Sequence, residues 1–430
     1  MSIAGAGSRT FASLSRHRNY RLWFGGQVVS LSGTWMQNIA QAWLIVELTH
    51  GSPFAVGALA LCQFGPYGVL GLLGGAFADR LRGRRALMFT QSCSMLVAIA
   101  LAVLALTHTA TVWEVFALAA VSGCILILDT PVRQAFTIEM VGRSELPNAI
   151  ALNSSLFNAS RIVGPALAGL LIATAGVGVC FLLNAVSFLA VVAALLAMRE
   201  EDLFKLDRGN VSPPILRGIG EGLAYAWRTP TVRLVLVMML VISTLAINFN
   251  VLLPVLTTRT LHSGPEVFGA LSAAFGVGAL GGALTSASLS RASLKLVVLG
   301  GSAFGAMMML LALQTTVAGA CSVLVLVGFS FSIYGSQSNA SLQMAVSDRL
   351  RGRLMSLYGY VFFGTAPLGG LFTGWLTGTR GTALFLVIVG GVSVIAALVG
   401  VLSVRRTALP RRRATSRLGG GDASTITARE

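Results

Sequence analysis

The sequence predicts an all-α integral membrane protein with twelve transmembrane helices in two pseudo-symmetric six-helix bundles and both termini in the cytoplasm. Only 11% of the 430 residues are charged, against about 25% in soluble proteins. Apolar runs of about 20 residues, enough to cross a hydrocarbon core of about 30 Å, recur along the whole chain. Basic residues also concentrate on one side of the predicted membrane, which indicates the orientation.

The apolar runs divide the chain into two sets of six spans around a polar linker. We place the spans at 21–46, 54–78, 86–106, 112–130, 150–173, 178–198, 232–256, 267–289, 295–314, 317–340, 354–377 and 382–404. The predicted domains are a cytoplasmic tail (1–19), an N-terminal bundle (20–198), a cytoplasmic linker (199–231), a C-terminal bundle (232–404) and a disordered basic cytoplasmic tail (405–430). Within the linker, residues 215–227 form an amphipathic segment expected on the inner membrane surface.

The positions of the basic residues account for the formal net charge of +16, so no nucleic-acid partner is needed to explain it. Of the 31 Lys and Arg residues, only Arg259 and Arg380 lie in loops predicted outside, and Arg161 lies within a span. This positive-inside bias predicts cytoplasmic termini and contact with anionic lipid headgroups. Residues 1–19 have no apolar core, so the first span is expected to be the uncleaved insertion signal. The excess of Arg over Lys suggests a bacterial source and therefore the bacterial inner membrane.

Cysteine and histidine give no sign of a disulfide framework or a metal site. The five cysteines all lie within predicted spans, far apart in sequence, and the four histidines lack ligand spacing. The chain also lacks a polar catalytic cluster and a Gly-x-x-x-x-Gly-Lys-Ser/Thr phosphate loop. We therefore expect neither an enzyme nor an ATP-driven pump, and no cofactor.

Short repeats suggest that the two halves arose from a doubled bundle. Gly57-Ala58-Leu59 in the second span recurs as Gly269-Ala270-Leu271 in the eighth, an offset of 212 residues. Arg21-Leu22 recurs as Arg233-Leu234 at the same offset. Pro165 in span five and Pro367 in span eleven are each followed by small residues.

A loop motif between spans two and three indicates a family. The segment from Gly74 to Arg85 contains Asp79-Arg80 followed by Gly83-Arg84-Arg85, and it resembles the Gly-x-x-x-Asp-Arg motif of the major facilitator superfamily, with one extra residue before the basic cluster. Other matches occur in order along the chain: Glu47-Leu48-Thr49, Asp129-Thr130-Pro131-Val132-Arg133, Arg161-Ile162-Val163-Gly164-Pro165 and Arg351-Gly352-Arg353. Together they are similar to the superfamily branch of transmembrane secretion effectors, which contains the enterobactin exporter, over residues 15–404.

The resemblance implies the major facilitator fold, in which two bundles surround a central cavity and work by alternating access. It implies a secondary active transporter of small amphipathic molecules such as drugs or siderophores, most often a proton-coupled exporter that uses the proton gradient and no cofactor. The alternative is uptake or flipping of a lipid, lysophospholipid or metabolite on the same fold. The expected partners are the bilayer and a small-molecule substrate, with a monomer as the functional unit.

The resemblance also assigns a gating role to the loop motif, which comprises Gly75, Asp79, Arg80 and Arg84. The motif's Asp faces the amino terminus of span eleven, where a carboxylate meets unpaired N–H groups and the positive end of the helix dipole. These contacts would hold the halves together in the outward-open state. The alternative for the arginines is that they only set topology.

Three further charged residues are candidates for proton coupling or a charge relay: Asp129, Arg133 and Arg161. By resemblance, an acid at the end of span four can pair with an arginine, and protonation would loosen the inner gate; a helix-end carboxylate paired with Arg133 is the alternative. Counted from a helix start near Pro147, Arg161 lies about 14 residues into span five, roughly 20 Å along the helix. A charge at that depth is costly, so it is expected to hold an anionic substrate group or to form an ion pair across the bundle.

Polar residues within the spans suggest a cavity. In span one, Gln27, Thr34, Asn38 and Gln41 recur at helical spacing on one face. The other predicted cavity residues are Asn153, Asn158, Asn248, Asn250, Gln337, Tyr358 and Tyr360, and for each of them the alternative is an interhelical hydrogen bond. Gly164, Pro165 and Pro367 are expected to allow helix bending and close packing, a pattern that resembles exporters.

Overall fold

The structure, a computed structural model, describes residues 12–78, 81–204, 215–246, 248–289, 293–346, 354, 357–361 and 364–408. Every regular element in these residues is helical. Nine stretches of the described chain are long and apolar enough to cross a membrane. The prediction of an all-α membrane protein is therefore confirmed, whereas the count of twelve spans and the orientation of the termini stay predictions.

The helices follow the predicted spans in order. In the first half of the chain they are α1 (Ala12–Arg16), α2 (Arg18–Leu48), α3 (Pro53–Ala78), α4 (Gly83–Leu106), α5 (Val112–Ala175) and α6 (Val177–Leu196). In the second half they are α7 (Ile215–Arg228), α8 (Pro230–Ala246), α9 (Phe249–Val255), α10 (Pro265–Ser288), α11 (Leu294–Leu311), α12 (Val317–Ala345), α13 (Ala366–Arg380) and α14 (Thr382–Ala408).

Helix α5 covers both span four and span five. The predicted spans leave residues 131–149 between them, and the chain stays helical up to and beyond Gly142, whose φ of +70° turns it into a second arm. Glycine adopts this left-handed region without a steric penalty. Pro147 lies inside the second arm, five residues after Gly142.

Two predicted spans are interrupted. Span seven is divided at Asn248, whose ψ of 50° separates α8 from α9, and a π-helical turn (Leu256–Thr260) follows α9. Span eleven is divided at Thr365, which precedes α13, and Pro367 lies in the first turn of that helix. Interruptions of this kind leave backbone groups available and are typical of helices that line a cavity.

The structure describes helices in parts of the predicted tails and linker. Helix α1 lies inside the predicted N-terminal tail, and α14 extends to Ala408, beyond the predicted start of the disordered tail at residue 405; residues 409–430 lie outside the described part. The predicted amphipathic segment is the helix α7. Its Tyr225 hydroxyl donates a hydrogen bond of 3.0 Å to the carbonyl of Ala345, the last residue of α12.

Among the described residues, the two halves pack closely against each other at one end of the molecule. A Cβ built on Gly57 of α3 would lie 2.6 Å from the Gly370 oxygen of α13, and one on Gly269 of α10 would lie 2.6 Å from the Gly169 Cα of α5. At the same end, two nitrogens of the Arg259 side chain lie 3.1 and 3.3 Å from the Gly51 oxygen. We call this the closed end, and the opposite end, which carries the C-terminus of α12, the open end.

Candidate functional site

The N-terminal half contains a buried ion pair near the open end. Asp129 is only 7% exposed, and one of its carboxylate oxygens accepts hydrogen bonds from Arg133 Nε at 3.1 Å and Arg133 Nη2 at 2.6 Å. The two residues are four apart on α5, so their side chains lie on the same face of the helix. A carboxylate this deep needs a charge partner, and Arg133 provides it.

Three helices converge on this pair. The second carboxylate oxygen of Asp129 accepts a hydrogen bond from the Thr90 hydroxyl at 2.7 Å and from Gln91 Nε2 at 2.8 Å, both on α4. From α2, the side-chain oxygen of Gln27 accepts a hydrogen bond from Arg133 Nη1. The Arg133 guanidinium also lies over the Trp23 ring, 5.5 Å from its centre. We call these six residues the charge network.

The charge network is not fully satisfied. Gln27 Nε2 and Gln91 Oε1 are buried and have no hydrogen-bond partner among the described residues. An unpaired buried amide group costs about 1–3 kcal/mol. A change in the charge of Asp129 would therefore redistribute several hydrogen bonds among α2, α4 and α5.

Arg161 lies elsewhere, between the two halves and surrounded by aromatic rings. Its Cζ atom lies 5.5 Å from the centre of the Trp35 ring on α2, 4.9 Å from Phe275 on α10 and 5.9 Å from Phe331 on α12. In the part of the chain that the structure describes, Arg161 forms no ion pair. We call these three rings the aromatic cage.

A polar cavity of about 480 Å³ lies next to the aromatic cage. Phe331 belongs to both, because it contacts Arg161 and lines the cavity. The polar lining comprises Asn158, Ser332, Ser336, Asn339, Gln343 and Tyr358. Gln343 lies near the C-terminus of α12 and is exposed, so the cavity is reached from the open end.

Of the polar residues predicted for a cavity, the structure places two, Asn158 and Tyr358, in its lining. Most of the others form hydrogen bonds between helices. The pairs are Gln27 with Arg133, Asn38 with Gln63, Gln41 with Val115, Asn153 with Tyr20, Gln337 with Ser286 and Ser293, and Tyr360 with Gly68. Thr34 bonds to a carbonyl of its own helix, Asn248 bonds to the Thr244 carbonyl of α8, and Asn250 is half-buried.

Most of the α12 lining is not among the predicted cavity residues. Ser332, Ser336, Asn339 and Gln343 follow one another at intervals of four, three and four residues, which places them on one face of a helix. This spacing is a signal that the sequence itself contains. Gln337, which is among the predicted residues, lies on another face and is buried.

Only part of the predicted gating motif is described. Gly75 lies within α3, whereas Asp79 and Arg80 lie outside the described residues, as does the amino-terminal segment 351–353 of span eleven. Arg84 lies at the start of α4 and donates hydrogen bonds of 2.7 and 3.1 Å to the carbonyls of Leu195 and Leu196, which end α6. It also pairs with Glu200 at 2.7 Å. All its described contacts are within the N-terminal half.

The predicted packing residues lie where helices cross. A Cβ on Gly164 would lie 2.5 Å from the Trp35 Cβ, so α2 and α5 approach closely beside the aromatic cage. The Pro165 oxygen would lie 2.8 Å from a Cβ on Gly269, at the crossing of α5 and α10. Pro367 is buried at the start of α13.

Comparison with known proteins shows which family the chain resembles. The family model described as transmembrane secretion effector matches residues 8–418. The chain is 29% identical over 394 residues to the multidrug efflux pump Tap of Mycolicibacterium fortuitum, covering 89% of this chain and 93% of Tap. It is 26% identical over 250 residues to the staphyloferrin A transporter of Staphylococcus aureus, covering 58% of this chain and 62% of the relative.

A solved structure supports the same conclusion about the fold. A crystal structure of a POT family transporter in complex with 5-aminolevulinic acid superposes with a TM-score of 0.73, covering 90% of this chain and 96% of that one, at 11% identity. At this identity the likeness concerns the fold and not the substrate.

Proposed function

This chain belongs to the transmembrane secretion effector family of the major facilitator superfamily, and from that premise we propose that it is a proton-coupled exporter of small amphipathic molecules. Membership in this family makes it a membrane transporter and not an enzyme. The similarity to Tap and to a siderophore transporter supports small molecules as substrates. We further propose twelve spans, a monomer and a place in the bacterial inner membrane.

We propose that the open end faces the cytoplasm. The distribution of charge supports this orientation, because Arg259 and Arg380 are the basic residues of the loops at the closed end and cytoplasmic loops carry the excess of Lys and Arg. The conformation is then inward-facing, with a cavity open to the cytoplasm and close glycine contacts between the halves on the outer side. An exporter loads its substrate in this conformation.

The charge network carries the proposal of proton coupling. In this inward-facing conformation Asp129 is paired with Arg133. The Arg133 side chain is 29% exposed, so neutralising Asp129 costs less than breaking a fully buried pair, which costs about 3–5 kcal/mol. The cost still biases a two-state equilibrium, for which roughly 5.5 kcal/mol shifts the ratio from 1:99 to 99:1.

The helices around Asp129 explain how one proton would change the conformation. A neutral Asp129 would attract Arg133 less strongly. Arg133 would then depend more on its hydrogen bond to Gln27 of α2 and its cation–π contact with the Trp23 ring. The bonds from Thr90 and Gln91 would weaken as well, because bonds to a charged acceptor are stronger than bonds to a neutral one. We propose that the resulting shift of α2 and α4 against α5 couples the charge of Asp129 to the equilibrium between the inward-facing and outward-facing states.

Inside-out vesicles test the proposed transport. The vesicles are acidified by respiration, internal pH is followed with a quenched dye, and candidate drugs, siderophores and lysolipids are added one at a time. We expect proton release that depends on the protein and on a compound, which would establish antiport and identify a substrate class. If correctly inserted protein gives no response to any compound, the exporter proposal fails and lipid or metabolite movement becomes the better explanation.

A further inference from the structure

We infer that the transported molecule carries an anionic group, and that Arg161 binds this group at the edge of the polar cavity. This inference rests on the proposed function, because it names the substrate class of the proposed transport site. It depends on the surroundings of Arg161 and on the charge of the cavity lining.

Among the described residues, no negative charge is paired with the positive charge of Arg161. Its guanidinium carries five N–H donors, yet among the described residues no carboxylate lies within ion-pair distance and no hydrogen-bond acceptor is recorded for it. The side chain is half-buried. The three rings of the aromatic cage attract the cation through their faces, but they do not supply the in-plane acceptors that the N–H groups require. A carboxylate or phosphate supplies both the acceptors and the charge.

The cavity beside Arg161 adds no negative charge. Among its described lining residues the polar groups are amides and hydroxyls, and none is acidic. Asn158 of this lining is three residues before Arg161 on α5, and Phe331 contacts both the cavity and the guanidinium. The field at this edge of the cavity is therefore positive. An amphiphilic cation would meet an arginine and no carboxylate, which is unfavourable at short range.

The size and lining of the cavity narrow the ligand further. A cavity of about 480 Å³ is within the range that holds drug-sized molecules. The amides and hydroxyls on α12 suit a body with several oxygen atoms, and the rings of Trp35 and Phe275 suit an apolar or aromatic part next to the anionic group. The ligand class is thus an amphiphile with a carboxylate, phosphate or similar monoanionic head.

Three probes of one shape test the preference for charge: dansylglycine is an anion, dansylglycinamide is neutral, and dansylethylenediamine is a cation. Binding to the purified full chain in detergent is followed by energy transfer from tryptophan to dansyl, with no gradient present; Trp35 lies in the aromatic cage and serves as a nearby donor. We expect the wild type to bind dansylglycine about tenfold more tightly than dansylglycinamide, because one additional charge-assisted hydrogen bond changes the affinity by about that factor. We expect it to bind the cationic probe most weakly.

Variants test whether Arg161 is responsible for the preference for the anionic probe. Arg161→Gln should remove the preference for dansylglycine and leave the affinity for the amide within about twofold, whereas Arg161→Lys should keep part of the preference. Arg259→Gln is the matched control, because this arginine lies at the closed end and should keep the whole preference.

The inference is overturned if the wild type prefers the cation, if it does not bind dansylglycine, or if Arg161→Gln leaves the preference unchanged or weakens all three probes equally. Its failure is distinct from failure of the proposed function. Binding is measured without a gradient, so a protein that selects anions but releases no protons in vesicles would contradict proton coupling alone.

Discussion

Gly169 of α5 and Gly269 of α10 face each other across the boundary between the two halves, so closely that a Cβ added to Gly269 would lie 2.6 Å from the Gly169 Cα. Gly57, which is 212 positions before Gly269, forms the equivalent contact between α3 and α13. The repeated tripeptide that suggested a doubled bundle thus provides both glycine contacts. Small residues at such crossings let helix backbones approach without a gap, and here they hold the closed end together.

A bulky residue at position 269 should open the closed end. In Gly269→Val the side chain must displace the α5 backbone, and overpacking of this kind costs about 1–3 kcal/mol. We expect a cysteine at Ser272, which is buried one turn further along α10, to react faster with a membrane-impermeant maleimide added from the closed-end side.

Gly25→Val serves as the control for this experiment, because a Cβ at Gly25 meets nothing within 4 Å. The comparison is made in a background without the five native cysteines. Equal labelling rates in Gly269→Val and Gly25→Val would show that the glycine contact does not keep the closed end shut.

Substitutions of two neighbouring amide residues on α12 should affect different properties, stability in one case and ligand affinity in the other. Gln337 is buried and bonds to Ser286 and to the backbone N–H of Ser293 at 3.0 Å each, so Gln337→Leu should lower the free energy of unfolding by about 1–3 kcal/mol. Asn339 lines the cavity, so Asn339→Leu should leave stability nearly unchanged and alter the affinity for transported compounds. Thermal unfolding and ligand binding in detergent measure the two effects, and a reversed pattern would contradict the placement of the cavity.

Arg84 should stabilise the N-terminal half through the end of α6. Its bonds to the carbonyls of Leu195 and Leu196 satisfy groups that have no partner within the helix. We expect Arg84→Gln to lower the free energy of unfolding by about 1–3 kcal/mol. The pair with Glu200 is on the surface, where such pairs contribute about 0–1 kcal/mol, so Glu200→Gln is the matched control. Equal effects of the two variants in thermal unfolding would assign the stabilisation to the ion pair instead.

The sequence predicted the helical membrane class and the family, and it offered the pair with Arg133 as one of two interpretations of Asp129, because each depends on local pattern. Hydrophobic runs mark helices directly, and a carboxylate four residues before Arg133 shares its helix face. The rest depended on distant packing. Arg161 lies among rings from α2, α10 and α12, which are up to 170 positions away in sequence, and no local pattern indicates that Phe275 or Phe331 faces it.

The orientation of polar residues within the spans was the least predictable feature. In an apolar span, an amide can face a cavity or bond to the next helix, and both uses satisfy its polar atoms. Gln27 was predicted for the cavity, yet it lies in the charge network; Asn339 and Gln343 were not selected, yet they line the cavity. The helical spacing of the four polar residues on α12 indicates which face of the helix lines the cavity, whereas polar residues considered one at a time do not.

The most direct test of the account compares wild type with Asp129→Asn in inside-out vesicles under a proton gradient, using a compound that the wild type transports. Asparagine keeps the shape and cannot carry the charge, so we expect accumulation against a gradient to be lost, while exchange of labelled for unlabelled compound at equilibrium continues and shows that the protein is inserted and folded. Accumulation by Asp129→Asn at the wild-type level would contradict proton coupling through the charge network.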